Sequence, residues 1–178
     1  MDQSLSKPGL CVVDATGKSI FCASLVTENI GALRLREIRF WLLKNIQVNI
    51  DGFALEAPSL NSTNRLFDLG EVSGVIKLMA ATDFNIDPIT VEPLVLKKFA
   101  TGNAHSDKSS VLQAVKNNWG LDLGNDDDAA DAFILAQMAR GYRLGWAIFK
   151  RRHEAETMQE FVTPKTNSSK KPRLKTSI

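Results

Sequence analysis

The stretch Asn125–Gly141, NDDDAADAFILAQMARG, sets four aspartates within six residues at the start of an apolar run. Like charges that close repel, so a cap, solvent or a cation must offset the cost. Acidic residues in a first helical turn suit capping and the macrodipole, which accounts for one or two of them. Asp131 is less well explained. In a helix, Asp128 and Asp131 are three apart and share a face. Their neighbours Ala129, Ala130 and Ala132 are small and allow a close approach. Two carboxylates on one face suit a hard divalent cation with oxygen ligands. Glu56 is a second candidate, because it ends the apolar run Gly-Phe-Ala-Leu-Glu. A buried strand should not carry a free charge, so Glu56 is either past the strand end or a site residue at its tip. Asp2 lies in MDQSLSKPG and is not singled out by physics alone.

The elements that must hold these residues read as an α/β chain. GLCVVDATGKSIFCASLV reads as a hairpin, with Asp14 in its turn and Cys11 and Cys22 able to face each other as reduced thiols. ALRLREIRFWLLKNI has apolar residues at helical spacing (Leu33, Leu35, Ile38, Trp41, Leu42, Ile46). GFALEAP is a buried strand ending near Glu56. Residues 61–81 form a helix capped by Asn-Ser-Thr-Asn and carrying Gly70 and Gly74. IDPITVEP is a short strand, residues 106–119 a helix, and Asp127 to about Arg152 the last helix. The resulting class is α/β with a mixed sheet flanked by helices.

The chain has 178 residues, 44% of them hydrophobic, enough for one domain with a full core. No apolar run approaches the roughly 18 residues of a membrane span, and the start does not read as a signal peptide. A cytoplasmic setting is expected. Two cysteines make neither a disulfide framework nor a zinc site. Residues 1–139 hold 12 basic against 17 acidic side chains, and residues 140–178 hold 10 against 3. A basic end on an acidic body points to an anionic partner. The expected division is a domain over 1–155 and a basic, disordered tail over 156–178.

Five stretches resemble the RuvC-type Holliday junction resolvases, which have the RNase H-like fold. DQSLSKPGLCVV is similar to the family's first-aspartate segment, and FALEAP to the strand ending in its catalytic glutamate. LFDLGEVSGVIKLMAA is similar to the helix that follows. KKFATGNAHSDKSSVLQAV and DAADAFILA resemble the lysine-bearing loop with its helix and the Asp-x-x-Asp helix. The ordered set covers nearly all of residues 2–140. The resemblance implies Asp2, Glu56, Asp128 and Asp131 as ligands of Mg²⁺ or Mn²⁺, two per site. It implies Lys108 as the catalytic-loop lysine and Lys97, beside Lys98, near the scissile strand.

In that family the first aspartate ends a complete central strand, of which this chain holds only Met1. The family's bacterial member carries an aromatic soon after its glutamate, where this chain has Ala57-Pro58-Ser59-Leu60. Phage-encoded relatives look like this, and some cut branched DNA more broadly. The implied activity is paired, symmetric, metal-dependent hydrolysis of four-way DNA junctions by a homodimer, with a fork-and-flap nuclease or a non-catalytic DNA-structure binder as alternatives. Gly70 and Gly74 mark either the dimer face or close packing within the chain. Phosphate contacts would come from Lys7, Arg65, Lys77, Lys108, Lys116 and the basic tail. His105 is either a phosphate contact or simply exposed, and the Lys150-Arg151-Arg152 run is read toward DNA.

Overall fold

The structure, a computed structural model, describes residues 1–58 and 65–163. The hairpin forms as expected: β1 (Gly9–Val13) pairs antiparallel with β2 (Ser19–Ser24), with Cys11 opposite Cys22. Both thiols are free. Asp14 closes the turn, its Oδ1 accepting from the Thr16 and Lys18 backbone N–H groups. α1 (Gly31–Asn45) follows, then β3 (Ala54–Glu56), α2 (Leu66–Asp83) and β4 (Ile89–Val91), which lies parallel to β3. The expected Asn61–Asn64 cap of α2 lies outside the described residues, as does the tail from residue 164.

Residues 1–3 join the two strand pairs. Asp2 exchanges backbone hydrogen bonds with Gly9, both 3.0 Å, which is antiparallel pairing to β1. Met1 donates to Ala54 O at 2.7 Å, and Glu56 N donates back to Met1 O at 3.2 Å, which is parallel pairing to β3. The row order is therefore β2, β1, residues 1–3, β3, β4, a mixed arrangement.

Three sequence expectations are corrected. Pro93–Thr101, read as the end of a strand and a loop, is a helix, α3. It carries the expected punctuation, with Pro93 in the first turn and Gly102 at the C-cap with φ 83°. The last helix does not run to Arg152: α5 (Asp127–Leu144) stops at Gly145, whose φ is 89°. A 3₁₀ turn (Trp146–Ile148) and α6 (Arg152–Val162) follow, so residue 155 falls inside a helix. The helix over 106–119 is α4 (Lys108–Trp119), capped by Asp107, whose carboxylate accepts from Ser110 N–H. Third, the inward face of α1 is Arg34, Ile38 and Leu42, while Leu33 is 53% exposed.

Two apolar clusters cover the strands. One joins Cys11, Ala54 and Val91 to α3, α4, α5 and α6 through Phe99, Val115, Phe133 and Met138. The other joins Leu10, Val12 and Leu55 to α1 and α2 through Ile38, Leu42, Ile76 and Met79. α5 is the pillar beneath the strands, and its first turn reaches the end of the sheet where Glu56 stands. No helix among the described residues is long and apolar enough to cross a membrane.

Candidate active site

The site is assembled by three backbone contacts. The pairing of residues 1–3 places Asp2 between β1 and β3, where it is 7% exposed. The end of β3 places Glu56 beside it. Gly9 then lets α5 approach: a Cβ there would lie 2.1 Å from the Asp128 carbonyl oxygen. Only glycine allows helix and strand to meet so closely. Asp128 and Asp131 follow in the first turns of α5, facing the strand ends.

The Asp2 carboxyl lies within hydrogen-bonding reach of those of Glu56 and Asp128. Burial, and then these two neighbours, push it well above the usual carboxylate range. Burial likewise raises Asp131 to about 7, with Glu56, Asp127 and Asp128 adding to the effect against the opposing pull of Lys108. Asp2 thus neighbours Glu56 and Asp128, and Asp131 lies near enough to Glu56, Asp127 and Asp128 to feel their charge.

Two lysines stand over them. Lys108, the first residue of α4, lies 2.7 Å from Asp127 and 3.7 Å from Asp128. Although partial burial works against it, these carboxylates hold its ammonium more firmly protonated than usual. Lys7, expected among the DNA contacts, lies 2.8 Å from Asp126 and 3.5 Å from Asp128. Asp126 is the α5 cap, accepting from Ala129 N–H and from Ser24 Oγ at 2.7 Å. Despite the opposing effect of burial, Lys7, Ser24 and the Ala129 N–H hold Asp126 below its ordinary value. The acidic repulsion is therefore met in two ways: Asp126 and Asp127 have lysine partners, while Asp2 is left buried and Asp131 half-buried among acids.

Sequence reasoning gave Ser24 no place in this site and assigned Lys7 to the DNA rather than to Asp126, because both roles depend on tertiary contacts. Among the other expected contacts, Lys77 and Arg65 are exposed, and His105 sits in an exposed loop with its backbone N–H bonded to Asn103. Lys97 is half-buried near Asp107. Lys98 and Lys116 are ion-paired with Glu160 and Asp122, each at 2.7 Å. Arg151, read toward DNA from the sequence, is half-buried. It pairs with Glu154 at 2.7 Å, donates to Asn118 O and lies 4.9 Å over the Trp119 ring.

The donor set fits a hard divalent cation. It is all oxygen and rich in negative charge, with Asp2 and Asp128 buried and Glu56 and Asp131 half-buried; among the described residues the three carboxylates whose oxygens lie within 4.8 Å of one another are those of Asp126, Asp127 and Asp128, of which Asp128 alone belongs to the expected ligand set.

Comparison with solved structures decides the architecture. The chain superposes on a structure of Thermus thermophilus RuvC with TM-score 0.67 and 23% identity, covering 81% of this chain and 93% of that one. The fold is that of RuvC. A second structure, T. thermophilus RuvC in complex with Holliday junction substrate, matches with TM-score 0.67 and 21% identity over the same shares. By sequence, a RuvC crossover junction endodeoxyribonuclease of Synechococcus sp. (strain CC9311) is 36% identical over 67 residues, 37% of this chain and 41% of the relative. Its counterpart in strain WH7803 is 34% identical over 67 residues, 43% of that relative. The matched stretch thus spans about two fifths of the length of these curated relatives. No family model matches the chain. The chain is therefore similar to RuvC proteins in sequence over 67 residues and shares their fold across most of its length.

Proposed function

We propose that the chain is a metal-dependent endodeoxyribonuclease that resolves four-way DNA junctions by paired phosphodiester hydrolysis. The observation that carries this reading is the convergence of Asp2, Glu56, Asp128 and Asp131 at the sheet end of a RuvC fold. These four would hold Mg²⁺ or Mn²⁺. When bound, the metal supplies an activated water and charge stabilisation at the attacking and leaving oxygens. The chain's own residues do the rest. The buried walls around Asp2 keep bulk water from the carboxylates, which strengthens every charge interaction there. Lys108 is poised to leave Asp127 for the scissile phosphate as negative charge grows on it. Lys7 fixes Asp126, and through it the start of α5 that carries Asp128 and Asp131.

DNA affinity would come from exposed cations around this end, Lys77, Arg65 and the basic tail among them, and would fall with salt. Lys97, Lys98, His105 and Lys116 remain secondary contacts in this reading. Two cuts call for two sites, hence a homodimer. Its face would be the α2 stripe Phe67, Gly70, Gly74 and Leu78. Phe67 is 90% exposed and Leu78 64%. A Cβ at either glycine would meet nothing within 4 Å among the described residues, so neither glycine is packed against them. The absence of an aromatic at Ala57-Pro58 favours, as second reading, a broader branched-DNA nuclease of the same site.

The test is cleavage of a synthetic four-way junction, a Y-fork and linear duplex, each with Mg²⁺, Mn²⁺ or EDTA. Paired metal-dependent nicks on the junction alone bear the reading out. Equal cutting of the fork selects the second reading, and binding without cutting in either metal overturns both.

A further inference from the structure

Glu56 is the last residue of β3, and its backbone is held at both ends. Its N–H donates to Met1 O at 3.2 Å, in the parallel pairing of residues 1–3 with β3. In that register the next two rungs would run from Gln3 N to Glu56 O and from residue 58 N to Gln3 O. Position 58 is Pro58, which has no N–H to give, so the ladder stops there. A side chain meets the Glu56 carbonyl instead: Gln3 Nε2 donates to it. Ala57 N–H, the next group along, donates to Val91 O at 2.7 Å. The tip of β3 is thus held from β4 on one side and from Gln3 on the other.

Gln3 is only 3% exposed, and its Oε1 has no hydrogen-bond partner among the described residues. A buried carboxamide with an unpaired oxygen costs stability, and an apolar side chain of the same length would carry no such cost. The setting is otherwise apolar: Leu5, two positions on, is 4% exposed and belongs to the cluster of α1 and α2. The one bond that the amide makes ends on the residue whose carboxyl lies within hydrogen-bonding reach of Asp2. Packing alone does not call for glutamine at this position, whereas holding Glu56 does.

We infer that Gln3 is a positioning residue of the active site: its amide stands in for the backbone rung, fixes the tip of β3 and so aims the Glu56 carboxylate into the site it shares with Asp2 and Asp128. The inference rests on the nuclease reading, with Glu56 as a metal ligand. Gln3 touches neither metal nor DNA and acts through Glu56. Side chains that orient a metal ligand commonly contribute about 10–100-fold in metal affinity or activity.

The experiment compares the full chain with its Gln3→Met, Gln3→Glu and Leu5→Ala variants. Gln3→Met keeps the length and loses the amide. Gln3→Glu keeps the shape and loses the donor. Leu5→Ala loosens the same segment without removing a bond to Glu56. Mg²⁺ affinity is read by calorimetric titration without DNA, below every melting point, and the Mg²⁺ dependence of single-turnover junction cleavage is read beside it. Both Gln3 variants are expected to bind Mg²⁺ about 10-fold more weakly and to need about 10-fold more of it for half-maximal cleavage. Their rate at saturating Mg²⁺ should stay within about threefold of the parent, because the ligand is displaced and not removed. Leu5→Ala should lower Tm and leave Mg²⁺ affinity unchanged. Gln3 variants that bind Mg²⁺ like the parent overturn the inference. So does an equal loss of affinity in Leu5→Ala, which would make the effect one of stability. A parent that binds no Mg²⁺ overturns the nuclease reading and this inference with it, whereas a parent that binds and cuts beside unaffected Gln3 variants overturns this inference alone.

Discussion

At the scale of single residues, the site stores unfavourable charge. Asp131 is raised to about 7 by burial and then by Glu56, Asp127 and Asp128. Its folded form holds a proton more tightly than the unfolded chain does. Its contribution to stability is thus full below the unfolded value near 4 and is lost as pH rises through about 7. In EDTA, Asp131→Asn should raise stability at pH 7.5 by about 1–3 kcal/mol and change it little at pH 4. Urea titrations at the two pH values check this, and an equal effect at both would place Asp131 away from the acidic cluster. Mg²⁺ should stabilise the parent and not the variant. Glu56→Gln or Asp128→Asn should lower junction cleavage on the order of 100-fold or more while leaving junction binding within a few-fold. Cleavage at the parent rate in both, measured in single turnover, would end the ligand assignment. Asp128 and Asp131 were legible because helical spacing alone puts them on one face, and Glu56 because it ends an apolar run. Asp2 was not legible from its neighbours. Its position is made by Gly9 and β3, contacts that no local pattern in MDQSLSKPG encodes, and only the family resemblance singled it out.

At the scale of elements, the decisive fit is between β1 and α5. A Cβ on Gly9 would meet the Asp128 backbone, 2.1 Å from its oxygen and 2.6 Å from its carbon. Neither is the end of a flexible side chain, so α5 must shift. Gly141 makes a second close approach, with the Phe149 ring 2.3 Å from its would-be Cβ. Gly9→Ala and Gly141→Ala should each cost roughly 2–3 kcal/mol, the range of an overpacked core. Only Gly9→Ala should also weaken Mg²⁺ binding by the folded protein, because it moves Asp128. Calorimetric titration below both melting points separates the two, and equal metal affinity would show that α5 tolerates the shift. Other element features were harder to read. Of the apolar positions expected on α1, Ile38, Leu42 and Ile46 are buried, whereas Leu33 is exposed and Arg34 takes the inward place beside them. Arg34 fits there because its long stem covers apolar surface while its head reaches Asp68 at 3.5 Å. α3 was missed although Pro93 and Gly102 bracket it, since the proline after Val91 also reads as a strand end. α5 was drawn too long because residues 146–152 keep an apolar rhythm through Gly145.

At the scale of the molecule, the proposed function rests on charge and on the symmetry of the proposed dimer. The five basic residues beyond Thr163 sit on a chain whose first 139 residues are net acidic. Removing residues 164–178 should weaken junction binding and flatten the plot of log affinity against log salt, by up to about 0.9 for each phosphate the tail neutralises. An unchanged slope would make the tail a bystander. Symmetry turns on α2. Glycine in a helix interior costs about 1 kcal/mol relative to alanine, and neither Gly70 nor Gly74 recovers it by packing against the described residues. A second copy laid across Phe67, Gly70, Gly74 and Leu78 would recover it, since small residues let two helices approach closely. Gly74→Glu separates this from a merely structural stripe. Within one chain there is space for the new side chain, so the variant should fold with its Tm unchanged or slightly raised. Across a two-fold axis it would bring two carboxylates together in an apolar contact, which costs several kcal/mol. The expected variant is a folded monomer by sedimentation that nicks junctions once per binding event instead of in pairs. A variant that stays dimeric and cuts in pairs would move the interface off α2, and the exposed apolar residues of α1, Ile30 and Leu33, would be next to test.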